Sequence, residues 1–192
     1  MELKIKKLTP LLLDLFLDFF ENIAFTDNPD WAHCYCVFFH HHNSVADWFT
    51  RSKEDNRTEA IQLIKEGVMK GFFALENDKP IAWCNANEKR VFSFEKLSND
   101  LKCYDDSDVI AITCFLVAKQ YRHKGITKLL LNTIIADYTD SEYKYLEAYP
   151  KKDEVHEADN YHGPLSLYLK NGFYIEKELE EFSIVRYKLK KN

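Results

Sequence analysis

The sequence predicts an α/β (α+β) chain with a mixed, mostly antiparallel central sheet and flanking helices. Three observations predict it. Residues 109–118 (VIAITCFLVA) form an almost unbroken apolar run, followed by a basic turn and a helical repeat ending at Tyr138. Another short segment, 145–149, follows that helix, and a strand–helix–strand connection makes the two strands parallel. Segments 71–75 with 81–86, and 173–177 with 182–189, read as strand pairs joined by short turns.

Taken in order, residues 1–8 (MELKIKKL) alternate and predict a first strand. Thr9 is placed to cap a helix that starts at Pro10. Leu12, Leu15, Phe16, Phe19 and Ile23 recur at helical spacing, with Asp14, Asp18 and Glu21 on the wet face. Those acids interrupt the apolar stretch and no small-residue cleavage pattern follows, so it is not read as a secretory signal. No apolar run approaches the roughly 20 residues that span a bilayer. The expectation is a soluble cytoplasmic protein with no membrane partner. At 192 residues the chain is long enough for one domain, 1–192, with a real core. A formal net charge of −5 argues against a nucleic-acid partner and leaves a cationic substrate open.

Residues 31–42 (WAHCYCVFFHHH) invite a metal reading through Cys34, Cys36 and the run His40 to His42. Structural zinc sites present two ligand pairs, each about two to four residues apart. Cys34-x-Cys36 has no second cysteine pair at matching spacing, so no metal is expected. The segment is read as a buried strand or a substrate-pocket wall; a strand would put both thiols on one face and Tyr35 opposite. The cysteines (Cys34, Cys36, Cys84, Cys103 and Cys114) are scattered and odd in number, and reduced thiols are expected.

Residues 58–70 predict a helix through Ile61, Leu63, Ile64 and Val68, with Gly71 just past its end. The hairpin 71–75/81–86 turns at Asn77-Asp78-Lys79, and 90–104 reads as a linker. After the central helix, strand 145–149 is ended by Pro150. A polar loop over 151–163 has the length of lids and binding loops, or of a surface insertion. Pro164 opens a short helix and Gly172 stops it. The two closing strands offer edges that would pair between subunits of a homodimer.

Chemistry concentrates in the turn 119–125 (KQYRHKG). The first N–H groups of a helix have no partner inside it, and the helix dipole adds partial positive charge there. Gly125 lets an anion approach that backbone, and Arg122, His123 and Lys124 add positive charge. An ordinary strand-to-helix connection with a solvated basic tip fits the same residues.

Arg122-x-x-Gly125-x-Thr127, directly after a buried strand and opening a helix, resembles the acyl-CoA pyrophosphate loop of the GNAT superfamily of N-acetyltransferases. Thr127 stands where that family has Gly or Ala. Leu167-Tyr168-x-x-x-Gly172-Phe173 resembles the family's signature near the C-terminus, a Tyr on a short helix before a Gly-Phe that opens a strand. The resemblance covers the chain in family order. It implies a GNAT-like acyl-CoA N-acyltransferase fold, in which the two parallel strands splay apart at one end. It also implies acetyl-CoA as cosubstrate and a primary amine, small molecule or peptide, as acceptor, by direct attack in a ternary complex. Pantetheine would pair with backbone over Cys114 to Val117, which brings in Phe115, Leu116 and Val117. Pyrophosphate would rest on His123, Lys124, Gly125, Ile126 and Thr127, beside Arg122. Tyr168 matches the position of the general acid that protonates the leaving thiolate, against the cofactor.

The resemblance does not assign the base. Glu147 is the first candidate, because a carboxylate inside a sheet needs a reason. His162, His156, Cys114 and a chain of waters stay open. So do two other readings: a non-catalytic acyl-CoA-binding protein of the same fold, and a structural or metal-binding module built on Cys34, Cys36 and the histidine run.

Overall fold

The computed structural model describes residues 3–41, 45–94, 107–152 and 161–189. Its strands are β1 (Leu3–Lys7), β2 (Gly71–Glu76), β3 (Lys79–Glu88), β4 (Val109–Val117), β5 (Tyr145–Ala148), β6 (Tyr174–Glu178) and β7 (Ser183–Lys188). They form one seven-stranded sheet in the order β1-β2-β3-β4-β5-β7-β6. Among these strands only β4 and β5 pair parallel; the other neighbours are antiparallel. The helices are α1 (Leu13–Asp18), α2 (Val45–Thr50), α3 (Lys53–Lys65), α4 (Ile126–Tyr138) and α5 (Leu165–Lys170). The predicted mixed sheet with one parallel pair and flanking helices is therefore the architecture observed.

Both faces of the sheet are covered, which is why its central strands read as continuous apolar runs. Along β2 the side chains alternate. Phe72 and Ala74 join the core with Leu130, Leu131 and Ile134 of α4, while Phe73 and Leu75 join the core with Phe16 and Ile64. The second core is organised around Trp83, fully buried and edge-on to Phe16 at 5.5 Å. Each such side chain contributes about 1.5–3 kcal/mol on burial. A third, smaller cluster gathers Phe39, Phe92, Phe94, Ala111, Tyr149 and Ile184.

Several elements depart from their sequence expectation. The first helical segment begins at Pro10 as predicted, but Thr9 makes no side-chain capping bond. Its winding also changes along its length, from a tight turn over Pro10–Leu12 to α1 and then a wider π turn over Phe19–Ile23. α3 starts at Lys53, earlier than the apolar repeat predicts, because Ser52 and Asp55 form a reciprocal capping box. α3 ends at Lys65, and Gly67, at φ 70, takes the left-handed position that Gly71 was expected to take. Over its described residues, 31–41, the 31–42 segment is not a strand: a 3-10 turn over Pro29–His33 leads into turns in which Tyr35 and Cys36 have φ 44 and 57. The hairpin between β2 and β3 turns at Asn77 and Asp78, both left-handed, as a two-residue turn between twisted strands requires.

Gly71 instead opens β2, where a Cβ would lie 2.2 Å from the Trp83 ring and 2.4 Å from the Cys84 carbonyl oxygen. Neither neighbour is a flexible chain end. Gly71→Ala is expected to lower the unfolding free energy by about 2–3 kcal/mol in urea denaturation. A change within about 0.5 kcal/mol would mean that the packing around Trp83 is looser than described.

Candidate active site

β4 and β5 pair over a short stretch, from Val109 with Tyr145 to Ile112 with Ala148. β5 stops there, and Pro150 follows shortly after, lacking the N–H that a strand interior needs. β4 runs on to Val117, which is still held by β3 opposite Ala82. Thr113 is the extra residue of a bulge, since Asn85 faces Cys114 while Ala86 faces Ile112. The parallel strands thus part, and among the described residues no strand pairs with the β5 side of Cys114 to Val117. Such an edge presents N–H and C=O groups to any extended chain that enters.

A cavity of about 530 Å3 occupies this opening. Phe115, Leu116 and Val117 line it from the strand, and Arg122, His123, Gly125, Ile126 and Thr127 line it from the turn into α4. Asp27, Trp31, Tyr161 and Leu167 complete much of the wall. Gly125 has φ 77, and a Cβ there would meet nothing within 4 Å. Backbone conformation, not crowding, is therefore what requires glycine. His123 is also left-handed, at φ 60. The unpaired N–H groups of the first turn of α4 begin at this wall.

Arg122 is anchored before any ligand arrives. Its Nε donates to the Val117 carbonyl at 3.1 Å, and its two terminal nitrogens donate to the Asp27 carboxylate at 2.6 and 3.1 Å. The Arg122 hydrogen bond holds the Asp27 carboxyl below its ordinary range, against a smaller opposing effect of burial. Any other anion would have to compete with Asp27 for this cation. Lys124 does not line the cavity; its Nζ lies 5.3 Å from the ring centre of Tyr121, which does.

Tyr168 stands behind the wall. It is fully buried, and its hydroxyl donates to the His162 carbonyl at 2.6 Å. Burial, and then the thiols of Cys84 and Cys114, push its pKa well above the ordinary tyrosine value, so the phenol keeps its proton. Gly163, which lines the cavity, packs on it: a Cβ there would lie 3.2 Å from the Tyr168 hydroxyl.

Glu147 lies outside the cavity lining. It is fully buried and lies opposite Ala111, one residue before the parallel pairing ends at Ile112 and Ala148. Three donors reach it: Lys89 Nζ at 2.9 Å, Arg186 Nε at 2.7 Å and the Tyr149 hydroxyl at 2.6 Å. Burial alone would raise this carboxyl, but Lys89, Tyr149 and Arg186 together outweigh it and hold the group below the ordinary glutamate value. Of the other base candidates, His162 is buried among the rings of Tyr161, Phe39 and Phe182. Cys114 is buried, and its neighbour Cys36 and then burial push its thiol well above the ordinary range; His156 lies outside the described residues, as do His42 and Cys103.

The turn into α4 was legible because its residues are contiguous. Asp27 was not, because it meets Arg122 from 95 positions away, and no spacing rule reaches that far. Lys89 and Arg186 were missed for the same reason. Among the described residues, no three His, Cys, Asp or Glu side chains gather as a metal-ligand set. No helix among them is long and apolar enough to cross a membrane.

Several solved structures share this fold at low identity. The PaiA N-acetyltransferase of Thermoplasma acidophilum, in complex with coenzyme A, is 17% identical with a TM-score of 0.56, over 98% of this chain and 99% of that one. An N-acetyltransferase from Staphylococcus aureus Mu50 is 15% identical with a TM-score of 0.56, over 99% of this chain and 100% of that one. An acetyltransferase from Thermus thermophilus is 13% identical with a TM-score of 0.56, over 98% and 97% respectively. No protein of curated function matches the chain in sequence. The model of the acetyltransferase (GNAT) family matches residues 30–173, a span that takes in the splayed strands, the turn into α4 and Tyr168. The chain belongs to the acetyltransferase (GNAT) family.

Proposed function

We propose that the protein is an N-acetyltransferase that moves an acetyl group from acetyl-CoA to a primary amine by direct attack in a ternary complex. The observation that carries this reading is the cavity that joins the open edge of β4 to the N-terminal turn of α4. A pantetheine arm is a chain of amides and suits the first, and a pyrophosphate suits the second. The coenzyme A bound to the related PaiA enzyme supports the same choice of cosubstrate.

In this reading the backbone of Phe115, Leu116 and Val117 holds the arm. The N–H groups from His123 to Thr127 hold the pyrophosphate. Arg122 exchanges Asp27 for phosphate oxygen, and Lys124 adds charge from just outside. A backbone N–H of β4 stabilises the oxygen of the thioester carbonyl as the amine adds to its carbon. The carbon–sulfur bond then breaks, and Tyr168 supplies a proton to the departing thiolate, which requires its hydroxyl to leave the His162 carbonyl.

The attacking amine must first lose a proton, because an alkylammonium with a pKa near about 10.4 has no free electron pair. Glu147 is ionised and accepts from Tyr149, the one neutral donor of its three. Its route as a base runs through that hydroxyl: Tyr149 gives its proton to Glu147 while its oxygen takes one from the amine side. Reduced thiols, with four unbridged cysteines among the described residues, suit a cytoplasmic setting. A second reading, an acyl-CoA-binding protein without turnover, draws on the engagement of both candidate catalytic groups with neighbouring protein groups.

Tyr168→Phe is expected to lower kcat by about 100-fold or more with little change in acetyl-CoA affinity, measured by thiol release over a panel of amines. Full activity of the variant across pH would remove the acid role. Wild-type protein that binds acetyl-CoA and turns over no amine would favour the second reading.

Glu147→Gln is expected to cost about 3–5 kcal/mol of stability at pH 7, because Lys89 loses its buried partner. The folded carboxyl lies below its unfolded value of about 4.3, so its contribution is full above that pH and is lost as pH falls through the folded value. The difference between wild type and variant should therefore shrink as pH falls below about 4. A difference that stays constant from about pH 7 to pH 3 would contradict the ion-pair account.

A further inference from the structure

Cys36 and Cys114 come from distant parts of the chain and meet against the sheet. Cys36 lies in the turns after Pro29–His33, and Cys114 lies in β4 where the strand begins its unpaired run. Both belong to the core around Trp83, with Cys36 5% and Cys114 8% exposed. Two donors converge on the Cys36 sulfur, Trp83 Nε1 at 3.4 Å and Asn85 Nδ2 at 3.4 Å, and Asn85 is the cross-strand partner of Cys114, which brings the two cysteines together. Donors aimed at one sulfur stabilise its thiolate.

The backbone is arranged to keep that sulfur in place. Tyr35 and Cys36 are consecutive non-glycine residues at φ 44 and 57. Such conformations persist only where the surroundings over-determine them. Here Tyr35 is fully buried, stacks with Phe20 at 6.0 Å and donates to Glu21 at 3.1 Å. The contact also divides the two thiols chemically. Cys114 lowers the Cys36 pKa against the cost of burial, while Cys36 and then burial raise that of Cys114. Cys34, half-buried nearby, is pushed up to about 12 by burial and then by the Cys36 charge.

We propose that Cys36 and Cys114 are an oxidative modification site, a dithiol that hydrogen peroxide closes to a disulfide beside the cleft. The Cys36 thiolate attacks one peroxide oxygen. A sulfur–oxygen bond forms, the oxygen–oxygen bond breaks, and the departing hydroxide takes a proton to leave as water. The Cys114 sulfur then attacks the Cys36 sulfenic acid. The sulfur–sulfur bond forms, the sulfur–oxygen bond breaks, and the Cys114 proton leaves with the hydroxyl as a second water. Two thiols lose two electrons and one peroxide becomes two waters. The bridge ties the Tyr35–Cys36 turn to β4 one residue before Phe115, a cavity-lining residue.

The test is treatment of the full-length chain with hydrogen peroxide, then quenching, alkylation in denaturant and peptide mass mapping. The expected product has lost two hydrogens, carries a cross-linked peptide joining Cys36 to Cys114, and reverts with dithiothreitol. Cys34→Ser should still form it, and Cys36→Ser should not. A cross-link through Cys34, Cys84 or Cys103, its loss in Cys34→Ser, or added oxygen without a cross-link would each overturn the proposal. So would a reduced dithiol that survives peroxide. These masses are read without coenzyme A, so they stand or fall apart from the acetyltransferase reading.

Discussion

The constraint on which the structure depends is the short parallel pairing of β4 with β5. A parallel pair is normally covered along its length by its neighbours and crossover helix. Here it stops at Ile112 and Ala148, and β4 continues alone on that side to Val117. The bulge at Thr113 and the early end of β5 produce the separation together. A strand edge left open inside a protein exposes polar backbone that must find partners. The helix that follows β4 delivers its N-terminal turn to the same opening, so the open edge and that turn line one cavity.

The last paired residues before the opening are treated in the opposite way. Glu147 lies between Arg186 of β7, directly across the antiparallel pair, and Lys89 after β3, so one carboxylate ties three neighbouring parts of the sheet. Burying such a group is costly unless charge and hydrogen bonds satisfy it, and here three donors do. The last paired residues are held by charge, and among the described residues no strand pairs with β4 beyond them on that side. Arg122 and Asp27 carry a smaller version of the same arrangement at the cavity wall, where the pair is only partly buried and open to exchange.

How much of this was legible in the sequence follows from the range of each interaction. The apolar runs of β2, β3 and β4 and the repeat in α4 are local, and they read correctly. The start of α3 was placed late because its first turn, from Lys53 to Arg57, has no apolar residue; its signal was the Ser52 and Asp55 cap instead. The 31–42 segment read as a buried strand or a pocket wall; Trp31 does line the cavity, but Tyr35 and Cys36 adopt left-handed backbone, not strand, under tertiary packing that no local pattern encodes. At the site, the Gly125 turn was legible and the Asp27 clasp on Arg122 was not. Glu147 stood out as a carboxylate in a strand, but its partners Lys89 and Arg186 come from other parts of the sheet and left no mark in spacing.

The central claim is that the opening between β4 and β5 and the turn into α4 form one acyl-CoA site. The most direct test is calorimetric titration of the folded protein with coenzyme A and acetyl-CoA, alongside Arg122→Ala. The account predicts one site with micromolar affinity, weakened by about tenfold or more in the variant through loss of a charged hydrogen bond. Folded wild-type protein that binds neither ligand would contradict it, and the Arg122 to Thr127 segment would then be no more than a strand-to-helix turn.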